Sequence, residues 1–169
     1  LGPSPARDET LVPPFTILRR QVYDTEGRAH VLRIGVIGFA PPQIAEWDRD
    51  TPEARVHTRD ILASARAWLP RLRARGADII VALAHSGIGA PDPEVGTENA
   101  ATALAALPEI DAIIAGHSHL AFPGPGFATS AEIDPINGRL AGKPAVMPGH
   151  GRVTTRSPTS SRTGVPSSP

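Results

Sequence analysis

Two apolar runs in this chain each end on histidine: ADIIVALA leads into His85-Ser86-Gly87, and IDAIIAG leads into His117-Ser118-His119. Runs of this length without polar alternation read as buried strands of a mostly parallel sheet, with both faces covered. Open α/β sheets gather their ligands beyond the carboxyl ends of such strands. Three imidazoles at two such ends make a metal centre one natural reading. His117 and His119 are i and i+2, so they cannot share a helical face. In an extended loop they can diverge toward two ions, which in two-metal hydrolases lie about 3.5–4 Å apart. The other reading makes each a hydrogen-bonded core or loop histidine. The residues by themselves leave both open.

The rest of the pattern places these runs in a layered sheet. Residues 15–23 (FTILRRQVY) and 30–40 (HVLRIGVIGFA) flank Asp24-Thr25-Glu26-Gly27 and read as a β-hairpin. Pro41-Pro42 should end the second run, because proline removes a ladder donor. A polar connector holding Trp47 and Asp48 leads to a helix over residues 58–75. Thr58 is the expected N-cap, Asp60 favours the first turn and Gly76 marks the stop. Ile61, Leu62, Ala65, Leu69 and Leu72 form its apolar stripe, and Pro70 should kink or divide it. A strand over 78–84 follows, then the Gly/Pro-rich loop SGIGAPDPEVG. An Ala-rich helix over 97–107 is expected next, capped by Thr97 with Glu98 in its first turn and stopped by Pro108. Strands over 111–115 and 144–147 bracket the second histidine loop. The order hairpin, α, β, α, β predicts an α/β sheet.

Charge and cysteine content narrow the function. Lys plus Arg is 17 and Asp plus Glu is 17, so no net field favours a nucleic-acid polymer or a membrane surface. No cysteine is present, which excludes a thiolate zinc site and any disulfide framework. No stretch is apolar and long enough to span a bilayer. The opening LGPSPARDET lacks both a charged n-region and an apolar h-region, so no signal peptide is expected within these residues. The chain also begins without Met, as expected of a mid-gene fragment or a processed product. Residues 150–169 hold almost no large apolar side chain and are expected to form a disordered tail.

With these elements placed, the chain resembles a known family. IGVIGFAPPQIAEWD (34–48), ADIIVALAHSG (77–87), ENAATALAALPEIDAIIAGHSH (98–119), FPG (122–124) and GKPAVMPG (142–149) occur in that order. They look like the bacterial 2′,3′-cyclic-nucleotide 2′-phosphodiesterase/3′-nucleotidase family, which is related to the 5′-nucleotidases within the calcineurin-like metallophosphoesterases. HSG and GHxH are shared across that superfamily; GFxPPQI…WD and FPG point to the cyclic phosphodiesterase branch. The resemblance covers about residues 11–149 and only a central part of such a protein.

It implies a partial catalytic domain over residues 1–149, from a four-layer α/β/β/α metallophosphatase holding two divalent ions (zinc, manganese or cobalt). His85 and His117 would ligate one ion and His119 the other. Ser86, Gly87, Gly116 and Ser118 would form the tight turns that let the imidazoles approach. The ions would polarise phosphoryl oxygens of a nucleotide substrate while a bound hydroxide attacks phosphorus. Such enzymes are usually exported to the periplasm or cell wall.

The departures from the family pattern are equally informative. The family's Asp-x-His motif, the bridging Asp of its GD motif and its Asn-His-Glu/Asp motif do not occur in this sequence, nor does the aromatic substrate domain. No catalytic residue is therefore assigned. The chain alone is expected to be inactive and to bind at most one ion, weakly. The match stops abruptly at Gly149, which suggests a frameshift near His150; a natural low-complexity linker is the alternative. A 5′-nucleotidase-type hydrolase and a non-catalytic metal-binding or interaction piece are the rival functions. His30 and His57 are expected on the surface or in packing, Trp47 and Trp68 in packing, and Glu98-Asn99 at the helix cap.

Overall fold

Asp24 makes the first turn: its carboxylate accepts from the Glu26 and Arg28 N–H groups, each at 2.9 Å, and Gly27 takes φ +79°. An aspartate that bonds its own following backbone beside a positive-φ glycine is a turn device any strand pair can use. It joins β1 (Phe15–Tyr23) to β2 (Ala29–Phe39) as an antiparallel hairpin, in the computed structural model that describes residue 10 and residues 12–47 and 58–150. The side chain of Trp47, His57 and the tail beyond His150 lie outside the described part.

Pro41 and Pro42 end β2 as expected, and the short helix α1 (Ile44–Trp47) begins the connector. Helix α2 (Ile61–Ala74) buries Ile61, Ala65, Leu69 and Leu72, four of the five predicted stripe residues. Its cap is Asp60 rather than Thr58. One Asp60 oxygen accepts from Ala63 N–H at 2.8 Å and the other from Gly96 N–H at 2.9 Å, so this carboxylate ties the helix start to a distant loop. Pro70 lies inside the helix without ending it. Trp68 packs edge-on to Phe15, and Arg71 lies over its ring.

Helix α3 is shorter than predicted, Ala101–Ala106, and Thr97 does not cap it. The Ala100 N–H donates to Ser86 Oγ at 2.8 Å and the Ala101 N–H to the Gly87 carbonyl at 3.0 Å. Two donors at its start are thus satisfied from the loop after the preceding strand, a signal no local window carries. Ala101, Ala103, Leu104 and Ala105 are fully buried or nearly so, which lets the helix lie close on the sheet.

The sheet runs β1-β2-β3-β4-β8-β7-β6, with β3 Ile79–Ala84, β4 Ala112–Ala115, β6 Ile133–Asp134, β7 Arg139–Leu140 and β8 Lys143–Pro148. The short β5 (Ala121–Phe122) pairs with β8 off this path. Strands β2, β3, β4 and β8 are mutually parallel, and helices α2 and α3 pack on one side of them. The expectation of two covered faces is corrected here. Ile80, Ala82, Ile113, Ala115, Ala145 and Met147 are buried, whereas Leu83, Ile114 and Val146 on the alternate positions are each about two-fifths exposed. Among the described residues the molecule is therefore one helix layer on one sheet.

Candidate metal centre

Adjacent parallel strands with matched ends bring the two histidine loops together. Ala84 pairs with Ala115, so His85 and Gly116 leave the sheet side by side. The His85 N–H donates to the Phe39 carbonyl at 2.9 Å, and the Gly116 N–H to the Ser86 carbonyl at 3.2 Å. Past Gly116 the chain folds sharply: Ser118 N–H returns to the Gly116 carbonyl at 2.9 Å around His117, whose φ is +73°. A bond spanning two residues about a positive-φ centre has the features of the rare, strained γ-turn. A histidine there, rather than glycine, is the kind of local strain that clusters at functional sites.

The turn aims His117 at His85. Their rings meet edge to face at 5.1 Å between centroids, with His117 Nδ1 lying 3.4 Å from His85 Nε2. Two imidazoles on one tetrahedral ion, with bonds of about 2.0–2.1 Å, place their nitrogens about 3.3–3.4 Å apart. The pair thus fits two ligands of one small divalent ion. The opposite nitrogen, His117 Nε2, lies 3.3 Å from Glu98 Oε2. Glu98 therefore meets the far side of the ring rather than converging with the pair. Among the described residues no three His, Asp or Glu side chains form a set that could hold an ion.

The other predicted residues separate into distinct roles. His119 is not joined to the pair: it takes φ +59° and its ring lies 4.6 Å from that of His150, centroid to centroid. Ser86 is completely buried, and its hydroxyl donates to the Glu98 carbonyl at 2.6 Å while accepting from Ala100 N–H. It acts by clamping the 98–100 segment. A Cβ at Gly87 would fall on the Asn99 side-chain oxygen, so that side chain would have to move aside. A Cβ at Gly116 would meet only ordinary contacts. The Ser118 hydroxyl turns to Met147 Sδ at 3.4 Å, away from the imidazoles. His30 sits on the hairpin surface against Asp24, as expected.

Sequence reasoning missed Glu98. It was expected to serve the helix cap, and its contact with His117 spans 19 residues, which no local pattern reveals.

The chain is similar to proteins of known class. It is 44% identical over 143 residues to a 2′,3′-cyclic-nucleotide 2′-phosphodiesterase/3′-nucleotidase of Haemophilus influenzae, covering 85% of this chain and 22% of that protein. The protein of the same name from Salmonella typhimurium is 43% identical over 139 residues, 82% of this chain and 22% of the relative. The chain thus spans about a fifth of the length of these curated relatives. The crystal structure of the calcineurin-like phosphoesterase YfkN from Bacillus subtilis superposes with a TM-score of 0.78 at 40% identity, over 83% of this chain and 42% of that one. A Staphylococcus aureus structure described as a 5′-nucleotidase gives a TM-score of 0.57 at 26% identity, over 84% of this chain and 25% of that one. No protein-family model matches the chain. No helix among the described residues is long and apolar enough to cross a membrane.

Proposed function

Because the chain belongs to the bacterial 2′,3′-cyclic-nucleotide 2′-phosphodiesterase/3′-nucleotidase family of calcineurin-like phosphoesterases, we propose that it carries the two-histidine half of a divalent-metal centre for phosphoester hydrolysis. The observation that carries this reading is the 3.4 Å approach of His85 Nε2 to His117 Nδ1 at the ends of neighbouring parallel strands. Zinc, manganese or cobalt would suit imidazole nitrogen. When bound, such an ion polarises phosphoryl oxygens and activates water.

This chain's own residues hold and aim. Ala84 and Ala115 fix the two loop origins in register, and Ser86 and Gly87 pack the 98–101 segment against the first loop. The strained turn at His117 then sets the second imidazole across from the first. His119, on the same loop, is proposed as a ligand to a second ion whose remaining ligands lie in the family's Asp-x-His, GD and Asn-His-Glu/Asp motifs. Without those motifs the chain alone binds one ion weakly and does not turn over nucleotide. The substrate proposed for the longer protein is a 2′,3′-cyclic nucleotide or 3′-nucleotide, and export to the periplasm or cell wall belongs to the same reading. A 5′-nucleotidase-type hydrolase is the second reading, favoured by the fold match but at lower identity.

A chimera tests the assignment. Residues 12–149 would replace the matching stretch of the Haemophilus relative, and hydrolysis of 2′,3′-cyclic AMP would be followed. Turnover that falls at least 100-fold on His85→Ala or His117→Ala is expected. A folded chimera that keeps full turnover without either histidine would defeat the proposal.

A further inference from the structure

Glu98 has a role that neither the helix nor the relatives' names assign. We propose that it is the positioning residue for His117, holding its proton on Nε2 so that the Nδ1 lone pair faces the ion shared with His85. The inference rests on the metal reading above and deepens it.

Three observations carry it. A carboxylate can only accept, so the 3.3 Å contact between Glu98 Oε2 and His117 Nε2 requires the proton on that nitrogen. In a neutral imidazole the other nitrogen then carries no proton, and it faces His85 Nε2 at 3.4 Å. The contact is also built rather than incidental. Buried Ser86 grips the Glu98 carbonyl and the Ala100 N–H, and Ala101 N–H bonds to Gly87, so the backbone under Glu98 is pinned to the His85 loop. The His117 side chain is only 19% exposed, so its ring is substantially sheltered. Carboxylates that orient a metal-binding histidine through its second nitrogen raise ligand basicity, and their loss typically weakens metal affinity about 10–100-fold.

The test pairs two readouts on the purified chain with 15N-labelled histidine, at a pH above the imidazole range. One is the His117 Nε2–H proton, assigned by its loss in a His117→Gln variant. The other is zinc affinity by competition with a chromophoric chelator. The wild type should show a downfield Nε2–H protected from exchange. Glu98→Ala should lose it and bind zinc about 10–100-fold more weakly, while Glu98→Gln, whose amide oxygen still accepts, should keep the proton and most of the affinity. His85→Ala should lose zinc but retain the proton, separating ring positioning from ligation. A protected proton that persists in Glu98→Ala, in a variant whose amide spectrum is otherwise native, would overturn the inference, as would its absence from the wild type. The expected proton behaviour with no zinc bound by the wild type would overturn the metal reading alone and leave Glu98 as the residue that orients His117.

Discussion

His117 occupies a backbone conformation, φ +73°, in which glycine is at ease and a Cβ is crowded. Left-handed backbone costs an L-residue about 1–2 kcal/mol, and the surroundings must over-determine it: the return bond from Ser118, the His85 ring and the Glu98 carboxylate all converge on this residue. This strain gives an unusual ordering of variants. His117→Gly should be more stable than His117→Ala by about 1 kcal/mol in urea unfolding, the reverse of what a helix or strand position would give. Equal stability of the two would mean that the turn stores no strain. The sequence displays the GHSH pattern plainly but carries no hint of this φ. The i, i+2 spacing does anticipate that His117 and His119 diverge, but not that the His119 ring lies beside that of His150.

At the scale of elements, the hairpin and the central strand are laced at one point. The Asp78 carboxylate, just before β3, accepts the Arg33 N–H at 2.7 Å and bonds the Arg33 guanidinium, while Asp78 N–H donates to the Arg33 carbonyl at 2.8 Å. The Arg33 side chain first, and its backbone N–H second, hold the Asp78 carboxyl below the ordinary carboxylate range. A folded value below the unfolded one means stability that is present above the unfolded value and lost as pH falls through the folded one. Urea midpoints measured at falling pH should therefore drop further for the wild type than for Asp78→Asn, with the two curves converging in acid. Asp24 and Asp134 are shifted the same way by His30 and Asn137, so some acid loss will persist in the variant. Parallel curves would show that this carboxylate is not coupled to folding.

The strands were readable because uninterrupted β-branched and apolar residues between turn formers leave few other choices. The helix starts were not. Thr58 and Thr97 are plausible local caps, but Asp60 gains a second acceptor bond from Gly96, and α3 is capped by Ser86 and Gly87 from another part of the chain. Long-range partners decide both cases, and a sequence window sees only near neighbours.

For the molecule as a whole, the uncovered sheet face is the telling feature. Leu83 pairs with Ile114, and Ile114 with Val146, so three large apolar side chains form a row across β3, β4 and β8. Each is more than 40% exposed, opposite the face that the helices cover. Continuous apolar runs look the same in sequence whether one face or both are buried, which is why this could not be read beforehand. The four-layer arrangement implied by the family resemblance would set a second sheet against this row. Ile114→Lys should then cost the isolated chain less than about 0.5 kcal/mol, as a surface change does. In the Haemophilus chimera it should lower the melting temperature clearly, and an equal penalty in both would mean that no further layer packs there.

Whether His85 and His117 hold one ion together is decided by a zinc titration of the wild type, His85→Ala, His117→Ala and the double variant. Ligands of one ion act as a unit, so their losses do not add. A shared ion gives one weak site in the wild type, a similar large loss in each single variant and no further loss in the double. Unchanged affinity in either single variant, or a loss in the double equal to the product of the two, would contradict it.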